Sequence, residues 1–176
     1  TLDYPNREVR QSLSHGLLEH VTRRGEEPAE MGEELVRLLG ENEFEGFAER
    51  LRWFLSGIPY QWHGSGDLAR YESWYAGMLY ACFRTIGVDL RVEEASSRGR
   101  ADMVVLHEGQ VFVLEFKVAE ETEGRDAAAV MDEAMAQMRD RGYADKYRSR
   151  GEPIHLLGVV FGRKARNLLT VRAERA

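Results

Sequence analysis

Cysteine is nearly absent: one residue, Cys82, in 176. No disulfide can form within the chain, which fits a reducing, cytoplasmic setting. No apolar run approaches the roughly 18–20 residues needed to cross a bilayer, so no membrane role is expected. The N-terminus lacks the basic-then-apolar pattern of a secretory signal. There is no internal repeat and no low-complexity tract. An initiating methionine is missing too: Thr1 opens the chain, and the expectation is a fragment of a longer protein or a processed end. Cationic excess is also lacking, since the net charge is −6. What remains is 43% hydrophobic and 31% charged. That is the composition of a folded globular chain long enough for one solid core with a small helical annex.

The negative charge is uneven. Residues 1–66 carry 7 basic and 12 acidic side chains, whereas residues 67–176 carry 17 and 18. Between Arg139 and Arg166 there are 8 basic residues against 3 acidic, a local balance of +5. Such a window suits a phosphate backbone, and equally a solvated basic face.

Hydrophobic spacing divides the chain into a helical region, residues 1–66, and an α/β region, residues 67–176. Asn6 reads as the N-cap of a first helix through Val21, Pro28 opens a second that stops at Gly40, and Asn42 caps a third ending at Ser56-Gly57. The loop 58–66 contains Trp62 and His63, for which packing is the safer role and base stacking the bolder. His15 and His20 read as structural or solvated. Asp67 then caps a long helix through Ile86, closed by Gly87. Glu72 falls on the apolar stripe of this helix. A charge there is costly, so it either reaches the edge or points into a site. Strands come next at 89–94, 100–107 and 110–118, then a helix at 124–141, a nearly all-apolar strand at 154–161 and an edge strand at 167–172. The second helix of this half can serve as a right-handed crossover to the apolar strand.

The most informative segment is Arg100-Ala-Asp-Met-Val-Val-Leu-His107, Glu108-Gly109, Gln110-Val-Phe-Val-Leu-Glu-Phe-Lys-Val118. Two strand-like runs separated by a two-residue turn ending in Gly predict a β-hairpin. With His107 facing Gln110, counting outward sets Asp102 opposite Glu115, and Lys117 on the same face as Glu115. Facing carboxylates are roughly 4.5–5.5 Å apart at Cβ and repel. A divalent cation between them, with a lysine alongside, is the economical explanation.

The core order and the spacing Asp102…Glu115-Phe-Lys117 resemble the PD-(D/E)xK nuclease superfamily. The likeness extends to the nuclease-like domain at the C-terminus of certain bacterial AAA-ATPase-like proteins, through Tyr4-Pro-Asn-Arg-Glu-Val-Arg10, Gly57-Ile-Pro-Tyr60, Ser97-Arg-Gly-Arg-Ala-Asp102, Glu115-Phe-Lys117 and Gln137…Gly142-Tyr143. The resemblance implies a restriction-endonuclease-like core, αβββαβ with a mixed central sheet flanked by helices. It also implies cleavage of nucleic acid, DNA ahead of RNA, with Mg²⁺ or Mn²⁺. Glu72, Asp102, Glu115 and the Phe116 carbonyl would hold the metal. Lys117 would orient or deprotonate water, and Gln137 resembles the helix-borne glutamine of RecB-like members. Arg98, Arg100, Tyr143 and Lys146 would meet the nucleic acid. Ala101 stands where the superfamily name has proline, a position without catalytic contact. No Walker-type loop is present, so an AAA-type ATPase domain would precede Thr1 in the full-length chain. The competing function is a silent nuclease-fold module that regulates or recruits such an ATPase.

Overall fold

The computed structural model describes residues 28–58, 68–96, 99–121 and 126–176. The helix anticipated from Asn6, His15, His20, the loop residues Trp62 and His63, and Arg98 lie outside the described residues.

Helix α1 (Pro28–Gly40) is followed by α2 (Phe44–Ser56) and α3 (Leu68–Thr85). Their spacing does what periodicity predicts: Met31, Leu35 and Leu39 of α1, Phe47, Leu51 and Leu55 of α2, and Tyr75, Leu79 and Phe83 of α3 are fully buried. Asn42 departs from its expected part as N-cap of α2. It adopts φ 60°, and its N–H donates to the Leu39 carbonyl at 2.9 Å. It therefore closes α1, because asparagine tolerates the left-handed turn that ends a helix. Position 43 precedes α2 without a side-chain cap.

Strands β1 (Asp89–Ala95), β2 (Arg100–His107) and β3 (Gln110–Ala119) form an antiparallel meander. The β2–β3 turn uses Glu108 at φ 48° and Gly109 at φ 69°, the paired left-handed geometry that matches strand twist in a two-residue hairpin. Helix α4 (Ala127–Asp140) is capped by Asp126, whose carboxylate accepts from Ala129 N–H at 2.9 Å. A 3-10 segment (Asp145–Arg150) leads into β4 (Ile154–Gly162), which pairs parallel with β3, and β5 (Asn167–Arg175) pairs antiparallel with β4. The sheet order is β1-β2-β3-β4-β5.

The fold is α/β with a mixed central sheet flanked by helices, a restriction-endonuclease-like core. Helices α1–α3 cover one face, where Met103, Val105, Phe112, Leu114, Phe116 and Phe161 meet them. Helix α4 and the 3-10 segment cover the other, over Val104, Val111, Val113 and Val160. Central strands β3 and β4 are thus apolar on both faces. No helix among the described residues is long and apolar enough to cross a membrane.

Candidate active site

Alternation along β2 and β3 decides what lies where. Val111 and Val113 face α4, so Glu115 and Lys117 belong by parity to that face too. Alternation is broken next to Asp102, because Ala101 packs with the α4-side cluster and Met103 with the opposite one. The hairpin register runs from His107↔Gln110 to Met103↔Leu114, and continuing it sets Asp102 opposite Glu115. The bridged ladder stops one step short of that pair. Asp102 turns instead to accept the Phe116 N–H at 2.8 Å through Oδ2.

Glu115 is 1% exposed and is the one buried charged residue among those described. Its Oε1 accepts from Lys117 Nζ at 3.0 Å and also from Gln137 Nε2, which α4 lowers onto the sheet. Its Oε2 is buried with no hydrogen-bond partner. Burial, with Asp102 next, pushes the Glu115 carboxyl up to about 7 against the opposing pull of Lys117. Asp102 is raised by burial, although Phe116 N–H, Lys117 and Arg100 counteract it. Burial alone would lower the Lys117 ammonium, but Glu115, Glu72 and Asp102 outweigh it and raise the group.

Glu72 reaches the site from α3. Its Oε1 accepts from Val118 N–H at 3.3 Å, and burial raises its carboxyl while Lys117 pulls it down. The three carboxylates thus act on one another through space. Among the described residues, however, no group of three or more His, Cys, Asp and Glu is gathered as a ready metal cluster. Each carboxylate is engaged within the chain: Asp102 accepts from Phe116 N–H, Glu72 from Val118 N–H, and Glu115 from Lys117 and Gln137.

Tyr143 is placed differently from its expected part in touching nucleic acid. It is 1% exposed, and its hydroxyl accepts from Gln137 Nε2 at 3.2 Å. It buttresses Gln137 and offers no ring to a base. Lys146 is exposed but engaged, donating to Glu94 Oε1 at 2.5 Å and to the Ala95 carbonyl at 2.7 Å. Arg100 lies 3.3 Å from Glu93. Phe116 directs its ring toward the α1–α3 core and its N–H to Asp102.

Sequence reading overlooked Glu93. The β1–β2 register pairs Val92↔Met103 and Glu94↔Ala101, so Glu93 faces Asp102 without being bridged to it. Its φ is 51°. Counting outward from the β1–β2 pairing would have located it, since Ala95 pairs with Arg100 and Ser96 N–H donates to the Gly99 carbonyl at 2.7 Å, which continues the same register.

A profile of the PD-(D/E)XK nuclease superfamily matches residues 70–171, from the first turn of α3 into β5. The chain belongs to the PD-(D/E)XK nuclease superfamily. It is also similar to a protein of Azotobacter chroococcum mcd 1 named "Uncharacterized protein in vnfD 5'region", with 44% identity over 171 residues. That match takes in 96% of this chain but 31% of the relative, so the chain spans about a third of that protein's length. In a PD-(D/E)XK nuclease fold, the hairpin and the two flanking helices are the elements that bring Glu72, Asp102, Glu115, Lys117 and Gln137 into one neighbourhood.

Proposed function

We propose that this chain is a divalent-metal-dependent nuclease domain that hydrolyses phosphodiester bonds, with DNA ahead of RNA as substrate. The observation that carries the reading is Glu115 Oε2, a buried carboxylate oxygen with no donor, beside Lys117 and across from Asp102. Leaving such an oxygen unmatched costs on the order of 1–3 kcal/mol, more when charged. A hard cation relieves that cost. The donor set fits, since Asp102, Glu115 and Glu72 offer only hard oxygens, which suit Mg²⁺ or Mn²⁺. Those three carboxylates, with the Phe116 carbonyl, would hold the metal. When bound, the metal neutralises charge on the scissile phosphate and makes water acidic enough to attack near neutral pH.

The chain's own residues do the rest. Lys117, held as an ammonium by its three carboxylate neighbours, donates to the attacking water or a phosphate oxygen and stabilises developing charge. Its raised basicity makes it a donor in this arrangement rather than a ready base. Gln137, braced by Tyr143, fixes Glu115. Arg100 and Lys146 flank the site and would meet the phosphate backbone by exchanging Glu93 and Glu94 for phosphates, with Arg98 nearby in sequence. The finer likeness to AAA-ATPase-associated nuclease domains rests on sequence motifs, among them Gly57-Ile-Pro-Tyr60 and Gln137…Gly142-Tyr143. The relative's greater length is compatible with an ATPase domain in the same full-length chain. A cytoplasmic location fits the single buried cysteine.

The test is cleavage of single-stranded, duplex and branched substrates by the full-length protein, with and without ATP. Activity should require Mg²⁺ or Mn²⁺, stop in chelator, and fall at least about a hundredfold in Asp102→Ala, Glu115→Ala and Lys117→Ala, on the scale of lost electrostatic stabilisation. Glu72→Ala and Gln137→Ala should lose less. The self-engaged carboxylates favour a second reading, a silent module that regulates an ATPase. Absence of cleavage on every substrate, with ATP turnover altered by removing the domain, would select it.

A further inference from the structure

Glu93 combines three features. It is a non-glycine strand residue in the left-handed region, at φ 51°, where L-residues other than Asn, Asp and Gly rarely sit. It faces Asp102 at the one step where the β1–β2 ladder is not bridged. Its carboxylate lies 3.3 Å from Arg100. The left-handed turn also redirects the next side chain. Strict alternation would turn Glu94 toward α1–α3 alongside Val92, yet Glu94 meets Lys146 and Tyr147 on the α4 side, at 2.5 and 3.3 Å. Ala101, its partner in the ladder, likewise packs in the α4-side core.

Arg100 is the nearest rival for Asp102. The two are separated by one residue on β2, and the guanidinium already acts on Asp102 through space. An arginine free to move would form a charge-assisted pair with that carboxylate. That pairing would set a fixed positive charge against the carboxylate, which repels a cation from the same group.

We propose that Glu93 is a positioning residue for Asp102: its left-handed backbone opens the ladder opposite Asp102, and its carboxylate keeps Arg100 off Asp102, so that this carboxylate stays available to a divalent metal. This role rests on the metal-dependent nuclease reading and deepens it. It also leaves Arg100 on the outside of the pair, where a substrate phosphate can replace Glu93.

The experiment is Mn²⁺ binding to the 176-residue chain, read from the electron paramagnetic resonance signal of free Mn²⁺. Wild type is compared with Glu93→Gln, Arg100→Gln and the double variant, each checked for cooperative melting. Glu93→Gln should bind Mn²⁺ about tenfold more weakly, the usual scale for losing a residue that orients a metal ligand. Arg100→Gln should bind at least as well as wild type, and the double variant should recover to within about threefold of wild type, because the competitor is gone. A merely structural role for Glu93 predicts no such rescue. Should Glu93→Gln fail to fold, Glu93→Gly takes its place, since glycine accepts the same φ at no steric cost. Unchanged Mn²⁺ affinity in Glu93→Gln, or a double variant as weak as Glu93→Gln, overturns the positioning role alone. A wild-type chain that binds no Mn²⁺ overturns the metal site and the positioning role with it.

Discussion

Glu115 is where burial and charge conflict most sharply, and the conflict has a measurable sign. Its carboxyl is raised from an ordinary 4.5 to about 7 by burial and by Asp102. The folded state therefore holds a proton that the unfolded chain releases near 4.5. Stability from this group is complete below that value and is lost as pH climbs to about 7, after which it changes no further. In chelator, the metal-free protein should lose up to about 3 kcal/mol over this window. Urea titrations at several pH values check it, and Glu115→Gln should flatten the slope. An unchanged slope in that variant would assign the effect to another group. The hairpin register was legible from His107↔Gln110 to Met103↔Leu114 because a two-residue turn fixes it. Tyr143 was not, because the burial of its ring depends on α4 and the 3-10 segment closing over the sheet, which strand periodicity does not encode. The Lys146–Glu94 pair escaped for the same reason, since it joins residues 52 apart in sequence.

Helix α4 is the element on which the site's rigidity depends. It touches the sheet across Gly158, where a β-carbon would sit 2.5 Å from Met131 Sδ and 3.0 Å from Met135 Sδ. Both methionines are buried, so they must repack within the core. Gly158→Ala should push α4 outward at a cost of about 1–3 kcal/mol, the usual penalty for overpacking. Because α4 carries Gln137, nuclease activity should fall more than stability alone explains. Adding Met131→Ala to make room should recover part of both, and melting curves beside cleavage rates decide this. A Gly158→Ala protein with wild-type melting would mean that the methionines repack freely. At this scale the sequence was most readable in the hairpin, in the apolar run of β4 and in the stripes of α1–α4. Asn42 was misread because the same residue suits the end of one helix and the start of the next, and only the αL backbone distinguishes them.

On the scale of the whole molecule, α1 and α2 complete the core of the α/β region. Phe47, Leu51 and Leu55 of α2 share one apolar cluster with Phe112, Phe116, Phe161 and Leu168 of the sheet. A fragment starting at residue 67 keeps α3 but uncovers the part of that sheet face on which α2 packs, so it should bind a hydrophobic dye and melt with less cooperativity. Unfolding of the fragment as cooperative as that of the whole chain would contradict this. Nucleic-acid affinity should also weaken with salt despite the net charge of −6, because local phosphate contacts set the slope. Arg100→Ala and Lys146→Ala should each reduce that slope by about one. The parallel pairing of β3 with β4 has a further consequence during synthesis. Strand β3 emerges from the ribosome before α4, the 3-10 segment and β4 exist, so the nascent hairpin carries a bare, strongly apolar edge. Such edges recruit other chains. The Met103–Leu106 and Val111–Leu114 runs are bracketed by Asp102 on one strand and by Glu115 and Lys117 on the other, the pattern of gatekeeper charges that discourage aggregation. The residues proposed to cut phosphodiesters would thus also protect the newborn chain from its neighbours, and neutralising them would lower the yield of folded protein as well as its activity.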